Sequence, residues 1–303
     1  MSDTHAHAHA HAHASSPKYY LPHNSPWPIL GSVALFCLMI GGAFYLNEWA
    51  GGWAMIPGAV LLATMFFCWF GTVIGENQHG LLNNAQVDRS FRMGMIWFIF
   101  SEVMFFAAFF GALFYARELS VPWIGGEGVK LVNKLVLWKN FNPTWPTNGP
   151  AHIGGRADGT FDVIPAFSLP AVNTLILLTS GVTVTLAHHA LRASHRTSLK
   201  FWLALTFLLG FTFVGLQAHE YGEAYRELGL RLSTGIYGST FFMLTGFHGL
   251  HVTIGAIMLM VIWFRVWRGH FTPNHHFAFE AVAWYWHFVD VVWLGLFIFV
   301  YWL

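Results

Sequence analysis

Apolar residues in this chain gather into seven runs of roughly twenty residues or more, and that feature leaves few ways to fold. At about 1.5 Å of rise per residue, a helix of roughly twenty residues crosses the roughly 30 Å hydrocarbon layer of a bilayer. The runs are Ile29–Leu46, Met55–Ile74, Arg92–Tyr115, Leu169–Leu191, Leu199–Ala218, Ile236–Val266 and Glu280–Leu303. Only 10% of the 303 residues are charged and 55% are hydrophobic, whereas a soluble domain carries about 25% charge. The fold class that follows is all-α, a polytopic membrane protein with seven transmembrane helices. A formal net charge of +1 removes the case for a nucleic-acid partner.

Three divisions are expected. Residues 1–28 form a flexible His/Pro-rich tail in which His5 to His13 alternate with alanine. Such a tract is a weak metal binder at most, because nothing fixes ligand geometry. No basic region followed by an apolar core opens the chain, so the first run reads as a retained span rather than a signal peptide. Pro22, Pro26 and Pro28 hold off helix until about Ile29. Residues 29–74 then form a helical hairpin turning at Asn47–Trp53 with interfacial tryptophans. Residues 75–303 form a five-helix bundle, entered through a polar loop, Gly75–Arg92, and interrupted by an extramembrane insert, residues 116–168. Cys37 and Cys68 lie in apolar runs without CxxC spacing and read as small packing residues.

Orientation follows from basic residues in short loops. One side carries Lys18, Arg89, Arg92, Arg192, Arg196, Lys200, Arg265 and Arg268; the other carries only Arg226 and Arg231 outside the insert. The N-terminus is therefore expected inside and the C-terminus outside.

Glu102 stands near the middle of the third run, with no cation within a turn. A carboxyl there costs a few kcal/mol unless protonated or partnered, so its partner is another helix, a lipid head group or a proton. It either handles protons or locks helices together. His248 and His251 are three residues apart, as are His287 and Asp290, so each pair shares a helix face. If those faces met, three imidazoles and a carboxylate could hold a divalent metal. The preferred reading is an interhelical hydrogen-bond network. Gly246, Gly249 and Gly255 let neighbouring backbones approach, Trp284, Trp286 and Trp293 serve as packing, and no open coordination position is evident. His219 and Glu220 close the fifth run near the outer interface as anchors with water access. Arg265 and Arg268 either set topology or clamp anionic lipid heads. Broken helices or an inverted repeat, which a transporter would need, are not apparent.

Several strings then carry a specific resemblance: Ser101-Glu-Val-Met-Phe-Phe106, Ala187-His-His189, Tyr237-Gly-Ser-Thr-Phe-Phe242, Thr245-Gly-Phe-His-Gly-Leu-His251, Asn274-His-His-Phe277 and Ala283-Trp-Tyr-Trp-His-Phe-Val-Asp-Val-Val-Trp293. Over roughly residues 20–303 the chain resembles subunit III of the haem-copper cytochrome c oxidases, in its bacterial type. The resemblance implies a two-plus-five arrangement with a V-shaped cleft holding phospholipids. It implies no catalytic residue, no metal and no cofactor in this chain, with haem a and copper in partner subunits. Implied partners are subunit I as the main contact, subunit II, other small subunits and phospholipids, with cytochrome c as donor to the whole complex. The implied role is an accessory, non-redox subunit of an aa3-type oxidase. It stabilises the catalytic subunit, retains lipid and supports proton uptake in aerobic respiratory electron transport, and it sits in a bacterial inner membrane.

Carried over by residue, the resemblance makes Glu102, Arg265 and His270 lipid-binding, with Trp69 and Glu76 at the edge of the second helix. His248, His251, His287, Asp290 and Glu220 remain a structural polar network. The loop Gly75–Arg92 departs from the family's usual His-rich stretch, as do the His-Ala tail and the enlarged insert. Two rivals are the same subunit of a quinol oxidase, which typically lacks the first hairpin, and a stand-alone metal-dependent membrane enzyme built on His248, His251, His287 and Asp290.

Overall fold

A computed structural model describes residues 24–303, and every regular element among them is helical. The His-Ala tract and Lys18 lie outside the described residues. The helices are α1 (Trp27–Leu46), α2 (Ile56–Gln78), α3 (Ala85–Phe114), the short α4 (Val121–Ile124), α5 (Leu169–Arg192), α6 (Arg196–Glu223), α7 (Gly235–Trp267) and α8 (Phe277–Leu296). Among the described residues seven stretches are long and apolar enough to cross a membrane; α4 is the end of the third.

The spans outrun their apolar runs at the polar ends. Helix α1 starts at Trp27, with Pro28 inside its first turn. Proline is tolerated there because its missing N–H has no intrahelical acceptor to meet. Most of Gly75–Arg92, expected as loop, is helical, leaving only residues 79–84 between α2 and α3. Asn84 Oδ1 accepts from Gln86 N at 2.7 Å, Asp88 sits in the first turn of α3, and Arg92 Nε bridges back to Asp88 at 2.8 Å. An acid at a helix start, followed four residues on by a cation, is favourable in isolation. Hydropathy alone therefore cuts α3 a full turn or more too late.

The described residues form two compact units, residues 24–93 and 94–303. In the first, α1 and α2 form an antiparallel hairpin through a 3₁₀ turn, Gly52–Met55. A Cβ on Gly58 would strike the Leu38 backbone, so this contact is backbone against backbone. Trp49 and Trp53 at the turn are exposed. Cys68 is exposed too, so it is not the packing residue its apolar run suggested.

In the second unit α5, α6, α7 and α8 close a four-helix ring. Helix α8 is its most enclosed member, with 44% of its span buried against 11% for the stretch containing α3. Trp286 of α8 is wholly buried and donates from Nε1 to Ser180 Oγ of α5 at 2.9 Å. Its ring fits where Gly210 of α6 and Gly255 of α7 lack side chains: Cβ atoms there would come within 2.6 and 2.8 Å of it. Gly255 thus admits an indole, not a backbone. Gly249 faces open space, and a Cβ on Gly246 would meet only the Tyr221 hydroxyl at 3.5 Å, so neither brings helices together. Helix α3 rests on the ring through large rings instead. Phe105 meets Phe247 at 5.1 Å, Phe106 meets Phe288 at 6.2 Å and Phe98 stacks on Tyr285 at 6.2 Å.

The insert begins as helix. Residues Tyr115–Ser120 form a π turn that runs into α4. Its later part folds onto the α6–α7 connection: Arg156 donates to Asp162 at 2.6 Å and to Glu227 O at 2.8 Å, and Asp162 N donates to Leu228 O at 2.9 Å. Thr160 donates to Asp158 through its hydroxyl and its backbone N–H, which holds that carboxyl below the usual range. In the charged stretch 223–231, Ala224–Leu228 continue α6 as a π turn.

Candidate functional site

Glu102 finds its partner 149 positions away, on α7: its Oε2 lies 2.9 Å from His251 Nε2. The imidazole's other nitrogen, Nδ1, lies 2.6 Å from Phe247 O. A carbonyl only accepts, so Nδ1 carries a proton. The contact to Glu102 then holds one further proton, either on the carboxyl facing a neutral imidazole or on an imidazolium facing a carboxylate. Either way the pair is neutral overall, which is how an acid and an imidazole can sit inside a bilayer. The side chains are 22% and 11% exposed, so the pair lies at the bundle's flank rather than its centre. Phe105, Phe106, Tyr285 and Phe288 surround the imidazole.

The two histidine-bearing pairs expected on α7 and α8 do not form one cluster. His248 is fully buried and donates to Val289 O of α8 at 3.2 Å, with its ring 5.0 Å from Trp293. His251 turns to α3. His287 Nε2 lies 3.3 Å from Thr185 Oγ1 of α5, and its Nδ1 is 3.9 Å from Asp290 Oδ2. Asp290 settles into the notch left by Gly181, where a Cβ would strike its carboxyl. The four donors thus serve three different helices, and the common metal set that their spacing allowed is not assembled.

Glu220 departs from expectation. It lies within α6, 1% exposed, so it has no water access; the neighbouring His219 is the exposed one. Tyr301 donates to Glu220 Oε1 at 2.7 Å and Gln217 Nε2 donates to the same atom at 3.2 Å. Gln217 and Tyr301, partners that spacing did not reveal, tie α6 to the C-terminal turn after α8.

The lipid-binding residues expected from the resemblance fall in separate units. Trp69 and Glu76 lie on α2; Trp69 is 40% exposed and stacks on Phe70. Arg265 is in the last turn of α7, its guanidinium 4.6 Å from the Phe271 ring, and its buried Nε has no hydrogen-bond partner among the described residues. His270 follows in the turn, its N–H bonded to Arg265 O at 3.1 Å. Burial first, then the charges of Arg265 and Arg268, push the His270 imidazole below its ordinary range. Arg196 donates to Phe271 O at 2.7 Å, and Lys200 lies 3.9 Å from the Trp267 ring.

Seven apolar spans whose acids and imidazoles are met across helices define a polytopic helical-bundle membrane protein. The sequence pattern of the family described as cytochrome c oxidase subunit III matches residues 17–136 and 154–303. Cytochrome c oxidase subunit 3 of Marchantia polymorpha is 41% identical over 285 residues, covering 94% of this chain and 96% of the relative. The subunit 3 of Arabidopsis thaliana is 39% identical over 285 residues and that of Carassius auratus 40% over 284, each with 94% and 96% covered. The chain belongs to the cytochrome c oxidase subunit III family, and so to a multi-subunit oxidoreductase complex. Residues 137–153 of the insert fall outside the family pattern.

Proposed function

We propose that this chain is the accessory, non-redox subunit of a proton-pumping aa3-type oxidase of a bacterial inner membrane. Its work is to brace the catalytic subunit I, hold phospholipid and assist proton uptake. In this reading haem a and copper reside in partner subunits, subunit I is its main contact beside subunit II and smaller subunits, and cytochrome c supplies electrons to the whole. The N-terminus faces the cytoplasm and the C-terminus the periplasm, as the basic loops suggest. The α1–α2 hairpin weighs against the quinol-oxidase reading, and the dispersal of His248, His251, His287 and Asp290 weighs against a stand-alone metal enzyme.

The observation that carries the lipid role is Arg265. Its guanidinium lies against Phe271 at the end of a span, with an Nε–H that no described group accepts. Arg196, Lys200 and Arg268 share that end of the bundle. Guanidinium binds phosphate oxygens in a forked geometry, and a lipid head group at this depth supplies them. The Glu102–His251 pair, with its one mobile proton, supports the proton-handling part.

Replacing Arg265 and His270 together by alanine should lower tightly bound phospholipid in the purified complex by at least one molecule. It should also shorten the time over which turnover is sustained. Mass spectrometry of extracted lipid checks this directly; unchanged lipid content would remove the clamp from the account.

A further inference from the structure

At the end of the bundle where α5 finishes and α8 begins, three donors converge that none of the roles above uses. His188 Nε2 lies 3.2 Å from His276 Nε2, and Glu280 Oε1 lies 3.2 Å from His276 Nε2 and 3.8 Å from His188 Nε2. Among the described residues this is the one group of three histidine, cysteine or acidic side chains whose ligand atoms come within coordination range of one another.

One ring proton in this cluster is fixed by the backbone. His276 Nδ1 lies 3.2 Å from Thr272 O, a pure acceptor, so Nδ1 carries that ring's proton. Nε2 of a neutral His276 is then a lone pair. With His276 neutral, His188 Nε2–H can donate to that lone pair; with His276 protonated at Nε2 as well, His276 donates to Glu280 Oε1. In either state the three ligand atoms converge on one point, where a cation can take the place of the protons they share.

We propose that His188, His276 and Glu280 form a binding site for a divalent transition metal of the zinc type. Donors on one tetrahedral zinc, bound at about 2.0–2.1 Å, stand about 3.3 Å apart. The observed triangle of 3.2, 3.2 and 3.8 Å needs little movement to meet that. Two imidazoles and one carboxylate select zinc-like ions over magnesium or calcium, which prefer all-oxygen sites. The bond from His276 Nδ1 to Thr272 O is the outer support that a metal-bound imidazole requires, fixing both tautomer and ring angle. His188 is 30% exposed on its side chain, which gives the ion a path in and leaves a fourth position for water. Binding at His188 Nε2 shifts that ring's proton to Nδ1, so the imidazole stays neutral, and any second proton held by His276 at Nε2 leaves to solvent. Arg192 acts on His188 from nearby and opposes a cation, so the site is one of modest affinity, filled and emptied reversibly. Its mechanical effect is to pin the α7–α8 connection, residues 268–276, to the end of α5.

The test uses the purified complex, stripped with a chelator and titrated with Zn²⁺. Wild type is compared with His188→Gln and with Glu280→Gln, which keep size and hydrogen bonding. Two readouts are taken: zinc retained after gel filtration, and amide exchange of residues 268–276 by mass spectrometry. The His-Ala tail and the other subunits contribute equally to all samples, so the difference isolates the site. We expect wild type to hold one more equivalent, each variant to bind at least about tenfold more weakly, and zinc to slow exchange in wild type alone. Equal zinc in all three proteins, or zinc-independent exchange in wild type, would overturn the site and leave a hydrogen-bonded cluster. Neither result bears on the lipid clamp, which is read through Arg265.

Discussion

His251→Leu should loosen α3 from the bundle by about 1–2 kcal/mol, while Glu102→Gln should cost less than half of that. Three magnitudes decide the figure. Stranding a bare buried charge costs about 3–5 kcal/mol. A carboxyl that takes up a proton once its imidazole is gone avoids that cost and leaves one unmet hydrogen bond, worth about 1–3 kcal/mol. Polar pairs in helical membrane proteins average about 0.6 kcal/mol and reach about 1.7, because the loosened state finds other partners. Glutamine at position 102 can donate an amide N–H to His251 Nε2, so Glu102→Gln keeps the bridge and leaves assembly intact while removing the exchangeable carboxyl proton. The double change Glu102→Leu with His251→Leu should recover most of the loss. A double-mutant cycle on the thermal release of this subunit from the purified complex measures all three. A His251→Leu protein as tight as wild type would show that the bridge holds nothing.

The second large effect belongs to Trp286→Ala, expected to cost about 3 kcal/mol, the lower end of the range for tryptophan in protein cores. The lower end applies because the separated helices are still in lipid, so the loss is of packing rather than of transfer from water. The indole touches three helices at once: Ser180 of α5 by hydrogen bond, and Gly210 of α6 and Gly255 of α7 by close contact. Gly210→Val should be comparably damaging, since its side chain would need space the ring occupies. Trp286→Phe should be milder, losing mainly the bond to Ser180. Midpoints of subunit release on heating rank these; equal midpoints for Trp286→Ala and wild type would remove Trp286 as the keystone of the ring.

The spans were readable because twenty apolar residues have few alternatives, but their ends were not. Asp88–Arg92 looks like loop to a hydropathy reading, yet it remains helical, with an ion pair joining its two charged ends, and α6 runs on past Ala218 to Glu223. Spacing paired His248 with His251 and His287 with Asp290, but His248 meets α8 while His251 meets α3. It could not say which helix each face would meet, and α3, α5 and α8 divided them. The Glu102–His251 contact spans 149 positions and has no local signature beyond an acid in need of a partner. Glu220 misled because two flanking polar residues, His219 and Glu220, looked alike, though helical rotation buries one and exposes the other. The His188–His276–Glu280 cluster was present only as two separate His-His strings, each ordinary on its own.

In the proposed role this chain braces an oxidase and holds its phospholipid, while the electron chemistry belongs to partner subunits. The direct measurement compares the purified complex with and without the chain, recording its haem absorption spectrum and its oxygen consumption through repeated turnover. The account predicts an unchanged haem spectrum and normal initial oxygen reduction without the chain, followed by progressive loss of activity. A haem signal that departs with the chain, or turnover that lasts equally well without it, would contradict the account.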